Sequence, residues 1–354
     1  MHKKEYIIPI FIPFLGCPHD CSFCNQLKIT NYKDKVDENS VVDQIETYLK
    51  YFKDVDIIKE IAFYGGTFTG LREDVMISYL KIANEYKNKN IVQKIRLSTR
   101  PDYINSHILD ILKEYQVDII ELGIQSMVDS VLENNQRGHS KDDSIRASKL
   151  IKEYGFTLGH QIMPGLYTDD YEKIIYTAKE SIRLHPDIVR IYPTLVIKDT
   201  RLNDLYQKGL YNPLTLDQAI DICTKLYIMY QKENIEVIRI GLQPTDNITE
   251  GEDVVSGPFH PAIRQLVKSN MYRIFIEKMI KENNLKDEIT IYATQKQISE
   301  ISGNKKSNKI YFKDKYNIDF SFVESKDKIF ILNNDKKLEL DLSKMINDYG
   351  GELI

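Results

Sequence analysis

Cysteine is scarce in this chain, with four residues in 354. That scarcity excludes a disulfide framework, which needs cysteines distributed along the chain. Long hydrophobic runs are missing as well, and no apolar stretch approaches the roughly 20 residues needed to span a bilayer. A strong charge of one sign is also missing. The 48 Lys and Arg face 52 Asp and Glu, a formal net charge of −4, so the chain as a whole presents neither a nucleic-acid nor a membrane surface. Internal repeats, low-complexity tracts and long linkers are absent too. What remains is a length sufficient for one large catalytic domain and a smaller appendage.

Three of the four cysteines stand close together, in Gly16-Cys17-Pro18-His19-Asp20-Cys21-Ser22-Phe23-Cys24-Asn25. The C-x3-C-x2-C spacing supplies three thiolates from one short loop, whereas a closed zinc or iron–sulfur site normally wants four. His19 lies too near its neighbours in the loop to serve comfortably as the fourth. Cys17, Cys21 and Cys24 are therefore read as metal ligands that leave one position open. Cys223 stands alone in a helical-looking stretch and reads as a small buried apolar residue. The N-terminus imitates an export signal, because Lys3 and Lys4 precede an apolar run that ends in Phe14-Leu15-Gly16-Cys17. Pro9 and Pro13 interrupt that run, and Cys17 belongs to the triad. The expected location is cytoplasmic, where thiolates stay reduced.

Apolar strand-like runs alternate with amphipathic helical stretches, the rhythm of βα units around a parallel sheet. Strands are expected at 7–14, 57–63, 94–98, 119–124, 156–162 and 188–192, with one further helix and strand at 215–240. This predicts an α/β fold, a barrel of six βα units, over residues 1–245. A helical connector is expected over 246–285 and a small α+β module over 286–354. Every informative motif falls at the C-terminal end of a strand, where a barrel gathers its ligands.

Those motifs are Gly65-Gly66-Thr67-Phe68, Leu97-Ser98-Thr99-Arg100-Pro101-Asp102, Glu121-Leu122-Gly123-Ile124-Gln125-Ser126 and Asn135-Gln136-Arg137-Gly138-His139. Two more follow, His160-Gln161-Ile162-Met163-Pro164-Gly165-Leu166 and Ile191-Tyr192-Pro193-Thr194-Leu195-Val196-Ile197-Lys198-Asp199-Thr200. Paired glycines let a backbone approach a ligand closely. Gln125 can hydrogen-bond hydroxyls, and Arg137 can pair with a carboxylate. Each polar residue also has an ordinary reading. Arg100 can satisfy carbonyls at the barrel rim, Asp102 can cap the next helix, His139 and His160 divide evenly between function and packing, and Tyr192 can be packing.

The cysteine loop, with Phe23 before its last cysteine, resembles that of radical S-adenosylmethionine (SAM) enzymes. The ordered motifs from about Ile7 to Gln243 resemble the radical SAM domain of the Elongator catalytic subunit, a tRNA-modifying family, and the likeness continues through Gly257-Pro258-Phe259-His260-Pro261. A looser likeness reaches oxygen-independent coproporphyrinogen oxidase. The resemblance implies a 4Fe–4S cluster on Cys17, Cys21 and Cys24, whose open iron takes SAM. It implies SAM contacts from Gly65, Gly66, Thr67, Gln125 and Arg137, with Ser98 as a candidate only, since the coproporphyrinogen enzyme has Glu there. It also implies that the barrel is a partial TIM barrel, (β/α)6, and it implies an external electron donor and hydrogen abstraction from a substrate.

By that family the substrate is a tRNA base; a porphyrin-like metabolite is the alternative, and a non-catalytic metal scaffold is the alternative of another class. Residues Arg264 to Lys315 carry 12 Lys and Arg against 6 Asp and Glu. This surplus includes the short basic run Lys305-Lys306-Ser307-Asn308-Lys309 and offers tRNA a docking surface, while a solvated lysine-rich turn reads as well. Elongator's catalytic subunit also has an acetyltransferase domain. Only 74 residues follow Ile280, too few for that fold, so acetyl transfer is not inherited from the resemblance.

Overall fold

The structure, a computed structural model, describes residues 5–12, 15–17, 20–25, 36–51, 57–242, 252–326 and 328–353. His19, Gln243 and the expected boundary at 245 lie outside these residues. The chain forms two compact units, 1–214 with 242–259 and 215–241 with 260–354.

In the first unit six strands run parallel: β1 (Glu5–Ile12), β2 (Ile58–Gly65), β3 (Lys94–Thr99), β4 (Ile119–Gln125), β5 (Thr157–Ile162) and β6 (Ile188–Ile191). Each pairs with the next in chain order, which is the expected partial TIM barrel. Helices between the strands form the outer layer. Three of them start at caps that the sequence supplies: Asn105 accepts from the Ile108 N–H, Ser140 and Asp143 form a capping box, and Asp170 accepts from the Lys173 N–H. Each such cap contributes about 1 kcal/mol.

Strand alternation sorts the side chains onto two faces. Ile61, Phe63, Ile95, Leu97, Ile120, Leu122, Leu158, Val189 and Ile191 are buried completely. The opposite parity carries Glu60, Tyr64, Arg96, Ser98, Glu121, Arg190 and Tyr192, so the inner face of the barrel is polar. The strand β4 carries an irregularity in its pairing with β5 between Leu122 and Gln125, and Gln125 ends it in the left-handed region at φ 61°. That departure from extended geometry re-aims Gln125 at the rim.

The second unit takes in the helix Leu216–Lys232, which packs on helices Ile263–Asn283 and Leu342–Leu353. Its four-stranded sheet has the order Asp319–Glu324, Glu288–Ala293, Phe330–Asn333, Lys336–Glu339. Phe275, Phe312, Ile289, Ile291 and Ile331 form its core. The sequence rhythm suggests elements at 288–292, 294–301, 309–316, 320–323 and 329–332, but not the last strand or the last helix. The basic run lies at a tight link between helices Gln295–Ser302 and Ser307–Tyr316, with Lys305 and Lys306 both in left-handed backbone.

Candidate active site

The cysteine loop leaves β1 and rests on the turn after β2. The Gly66 N–H donates to the Ile12 carbonyl at 2.8 Å and the Thr67 N–H to the Leu15 carbonyl at 3.1 Å. A Cβ on Gly66 would lie 2.1 Å from the Leu15 oxygen, so glycine is required there for two backbones to touch. Thr67 Oγ1 lies 3.3 Å from Cys17 Sγ. Cys21 and Phe23 are buried in an apolar cluster with Val131, Leu166, Val196, Leu202 and Tyr211, against which Cys24 packs. Arg137 also reaches the loop: its Nη1 donates to Cys21 Sγ at 3.3 Å and its Nη2 to the Gly123 carbonyl at 2.7 Å. A Cβ on Gly123 would stand 2.8 Å from Arg137 Nη2 and 2.9 Å from Gln125 Nε2. Gly123 thus makes the room in which Gln125 and Arg137 meet.

Four buried polar atoms at this rim have no partner among the described residues: Gln125 Oε1, Arg137 Nε, Arg100 Nη1 and His139 Nδ1. Buried polar groups are normally satisfied, and each orphan calls for an explanation. His139 Nε2 lies 3.2 Å from the Ile124 carbonyl, which can only accept, so that nitrogen carries the proton. Burial, with the nearby Arg137 and Arg100 cations, pushes the imidazole pKa down to about 3. The ring is neutral at physiological pH, and Nδ1 is a bare acceptor. The rim therefore presents two acceptors and two donors without partners. Such a set fits a ligand bearing hydroxyl or ammonium donors together with a carboxylate.

Below the rim, the inner face behaves differently. Arg96 pairs with Glu60 on one side and Glu121 on the other. Arg190 grips Glu121 through Nε at 2.5 Å and Nη2 at 3.0 Å, and Nη2 also donates to the Tyr64 hydroxyl at 2.8 Å. Burial raises the Glu60 pKa more than its single arginine lowers it. Burial also acts to raise the pKa of Glu121, yet Arg190 and Arg96 together outweigh it and hold the carboxyl below its ordinary value. Two carboxylates and two guanidiniums cancel in charge.

The other expected residues fall as follows. Gly65, Gly66 and Thr67 face the cysteine loop. Ser98 lies half-buried on the inner face, in register with Glu121. Arg100 pairs with Asp102 at 2.8 Å, and Asp102 does not cap the following helix, since Asn105 does. His160 belongs to the opposite face, where Ser148 and Ser181 hold its ring nitrogens at 2.9 and 2.8 Å, and burial lowers its pKa to about 3. It is a packing residue. Cys223 is buried and its thiol is pushed far up by burial, which leaves it inert. Sequence reading alone does not single out Glu60, Arg96, Arg190, Ser22 or Asn135. The available signal is a charge at alternate positions inside otherwise apolar strands.

Among the described residues no three His, Cys, Asp or Glu side chains converge as a metal site. The donor set nonetheless fits an iron–sulfur cluster with SAM: soft thiols on one loop, and orphaned polar atoms beside them.

The fold and this site define a class. The Radical SAM superfamily matches residues 11–180 and the Radical SAM C-terminal domain matches residues 186–273. The chain belongs to the radical SAM superfamily. It is 33% identical over 230 residues to an uncharacterised protein of Methanocaldococcus jannaschii, covering 62% of this chain and 70% of that one. It is 30% identical over 186 residues to the tRNA uridine(34) acetyltransferase of Methanocaldococcus infernus, covering 46% of this chain and 34% of the relative. The archaeal Elp3 structure from Methanocaldococcus infernus, with an N-terminal deletion, shares the fold at a TM-score of 0.60. That likeness has 22% identity over 81% of this chain and 66% of the other. The chain thus spans about a third of that acetyltransferase's length.

Proposed function

We propose that this radical SAM enzyme acts on a base of tRNA. Cys17, Cys21 and Cys24 would hold the 4Fe–4S cluster, and Gly65, Gly66, Thr67, Gln125 and Arg137 would seat SAM. When bound, the pair supplies one-electron cleavage of SAM to a radical that abstracts hydrogen from the substrate. The chain's own residues do the rest. Arg137 offers its unpartnered Nε–H to a carboxylate, and Gln125 Oε1 and His139 Nδ1 accept from hydroxyl or ammonium groups. Phe23, Leu166, Val196 and Leu202 keep water from the loop's inner side.

The observation that carries this reading is the orphaned quartet beside the three-thiol loop. It is tested by anaerobic reconstitution with iron, sulfide and SAM, followed by assay of 5′-deoxyadenosine after reduction. Cluster uptake and 5′-deoxyadenosine formation are expected; a protein that yields neither removes the radical reading. A fully ligated zinc centre with no response to SAM would instead support the scaffold alternative.

The tRNA half of the proposal draws support from the matching relatives and from the basic second unit. Several of its cations are already engaged, Lys268 with Glu300, Lys315 and Lys281 with Glu277, and Lys313 with Asp319. Among the described residues no ion pair engages Lys296, Lys305 or Lys306, which would be left for phosphates. Against a polycarboxylate such as a porphyrin stands the inner face of the barrel, where Arg96 and Arg190 are both committed to carboxylates. Comparing tRNA nucleosides between wild-type and deletion cells decides: loss of one modified nucleoside supports the reading, and an unchanged profile sinks it.

A further inference from the structure

Among the described residues of the cysteine loop, the most deeply buried is polar. Ser22 is 0% exposed, and none of its hydrogen bonds is local. Its N–H donates to the Asn135 carbonyl at 3.0 Å, its hydroxyl donates to Asn135 Oδ1 at 2.8 Å, and its carbonyl accepts from the Leu202 N–H at 2.7 Å. Asn135 is also 0% exposed. Its side-chain nitrogen donates to the Val131 carbonyl at 2.7 Å and the Tyr167 carbonyl at 2.9 Å.

Two carbonyls can only accept, so the amide nitrogen must face them and the amide oxygen must face Ser22. The orientation of Asn135 is thereby settled, and the serine hydroxyl is the donor. Ser22 directly follows Cys21 and precedes Cys24 by two residues, so whatever holds Ser22 holds the middle of the ligand loop. Two residues beyond Asn135, Arg137 donates to Cys21 Sγ from the same turn. Cys17 lies outside this clamp, against Thr67.

We propose that Asn135 is a positioning residue for the cysteine loop: through Ser22 it sets where Cys21 and Cys24 stand before any metal arrives. Gathering three thiolates from an unheld loop would cost conformational entropy at the moment of binding. A loop already held has lost that entropy on folding, so the metal need not order it. The consequence for cluster retention rests on the reading of the triad as metal ligands; the ordering of the loop does not.

The first test therefore uses the metal-free chain of 354 residues. Alkylation by iodoacetamide is followed at each cysteine by peptide mass in wild type, Ser22→Ala and Asn135→Ala. Cys21 and Cys24 are expected to react about tenfold faster in both variants, while Cys17 changes by less than about twofold, since one buried hydrogen bond with its orphaned partner has that size. Asn135→Ala can misfold; Ser22→Ala leaves the bonds from Asn135 to Val131 and Tyr167 in place and keeps the proposal open to refutation. Ser140→Ala, which uncaps the helix Lys141–Glu153, serves as a destabilised control that should leave Cys21 and Cys24 unchanged.

Equal rates in Ser22→Ala and wild type would overturn the proposal, as would an equal rise at all three cysteines or the same rise in Ser140→Ala. The second readout is the rate at which a chelator bleaches the visible absorbance of the reconstituted protein. It should rise about tenfold in Ser22→Ala, and equal bleaching would refute the role in retention. Wild-type protein that takes up no iron would remove the metal reading and leave the alkylation result to decide the loop's ordering.

Discussion

The rim and the inner face of the barrel are built from the same strands, yet they treat polar atoms in opposite ways. On the inner face, four buried charges satisfy one another: Glu60, Arg96, Glu121 and Arg190 alternate in sign, and Tyr64 completes the pattern. At the rim, Arg100 and Gln125 stand four residues beyond Arg96 and Glu121, with Arg137 and His139 further along the chain, and each of the four buries an atom with no partner among the described residues. A satisfied network holds a barrel together, whereas an unsatisfied one awaits a ligand. The contrast separates polar residues that satisfy one another from those proposed to bind SAM.

The largest expected effect is at the loop itself. Cys21→Ala should abolish cluster uptake and 5′-deoxyadenosine formation; a variant that keeps its iron signal would remove Cys21 from the ligand set. Next comes the inner face. Glu121→Ala strips both arginines of a shared partner and should cost about 3–5 kcal/mol in chemical denaturation, because uncompensated buried charge is left behind. A loss below about 1 kcal/mol would show that the network is wetter than the structure indicates.

At the rim, Arg137→Lys should weaken SAM binding by about tenfold or more, since a point charge replaces a planar fork. Its melting temperature should stay near wild type, and an unchanged SAM affinity would return Arg137 to the structural set.

His160 sharpens the comparison through pH. Folded, it stays neutral down to about pH 3, while the unfolded chain protonates it near 6.5. Below about pH 6.5 the unfolded state gains protons that the folded state refuses, so stability falls as pH drops through that window. Between pH 7 and 5 this amounts to about 2 kcal/mol, and His160→Asn should flatten that part of the profile. Smallest of all, Lys305→Ala with Lys306→Ala should lower the salt slope of tRNA binding by about 2 units; an unchanged slope would place the RNA contact elsewhere.

Much of the fold was legible because its signals are local. The βα rhythm and the Gly-Gly turn follow from neighbours in sequence, whereas the cap expected at Asp102 falls at Asn105. The expected strand 119–124 and the observed Ile119–Gln125 differ by one residue. The compact units are less legible. Leu216–Lys232 continues the barrel's rhythm in sequence, but its buried face packs on Ile263–Asn283 and Leu342–Leu353, and no local pattern reveals which distant helix will cover an apolar stripe. His160 shows the same limit at the site. Its strand-end motif invited a functional reading, whereas its parity with Leu158 and Ile162 turns it toward the helices.

Three thiols within one short loop are a property of the chain alone, because covalent spacing keeps them together in any conformation. The order of the strand-end motifs is likewise written along the chain. Which polar atoms lost water without gaining a partner, and which charges found one, was decided only when strands far apart in sequence came into register. Desolvation belongs to the assembled fold: Glu121 meets Arg96 and Arg190, and Ser22 meets Asn135, only after folding has excluded the water that would otherwise have served each of them.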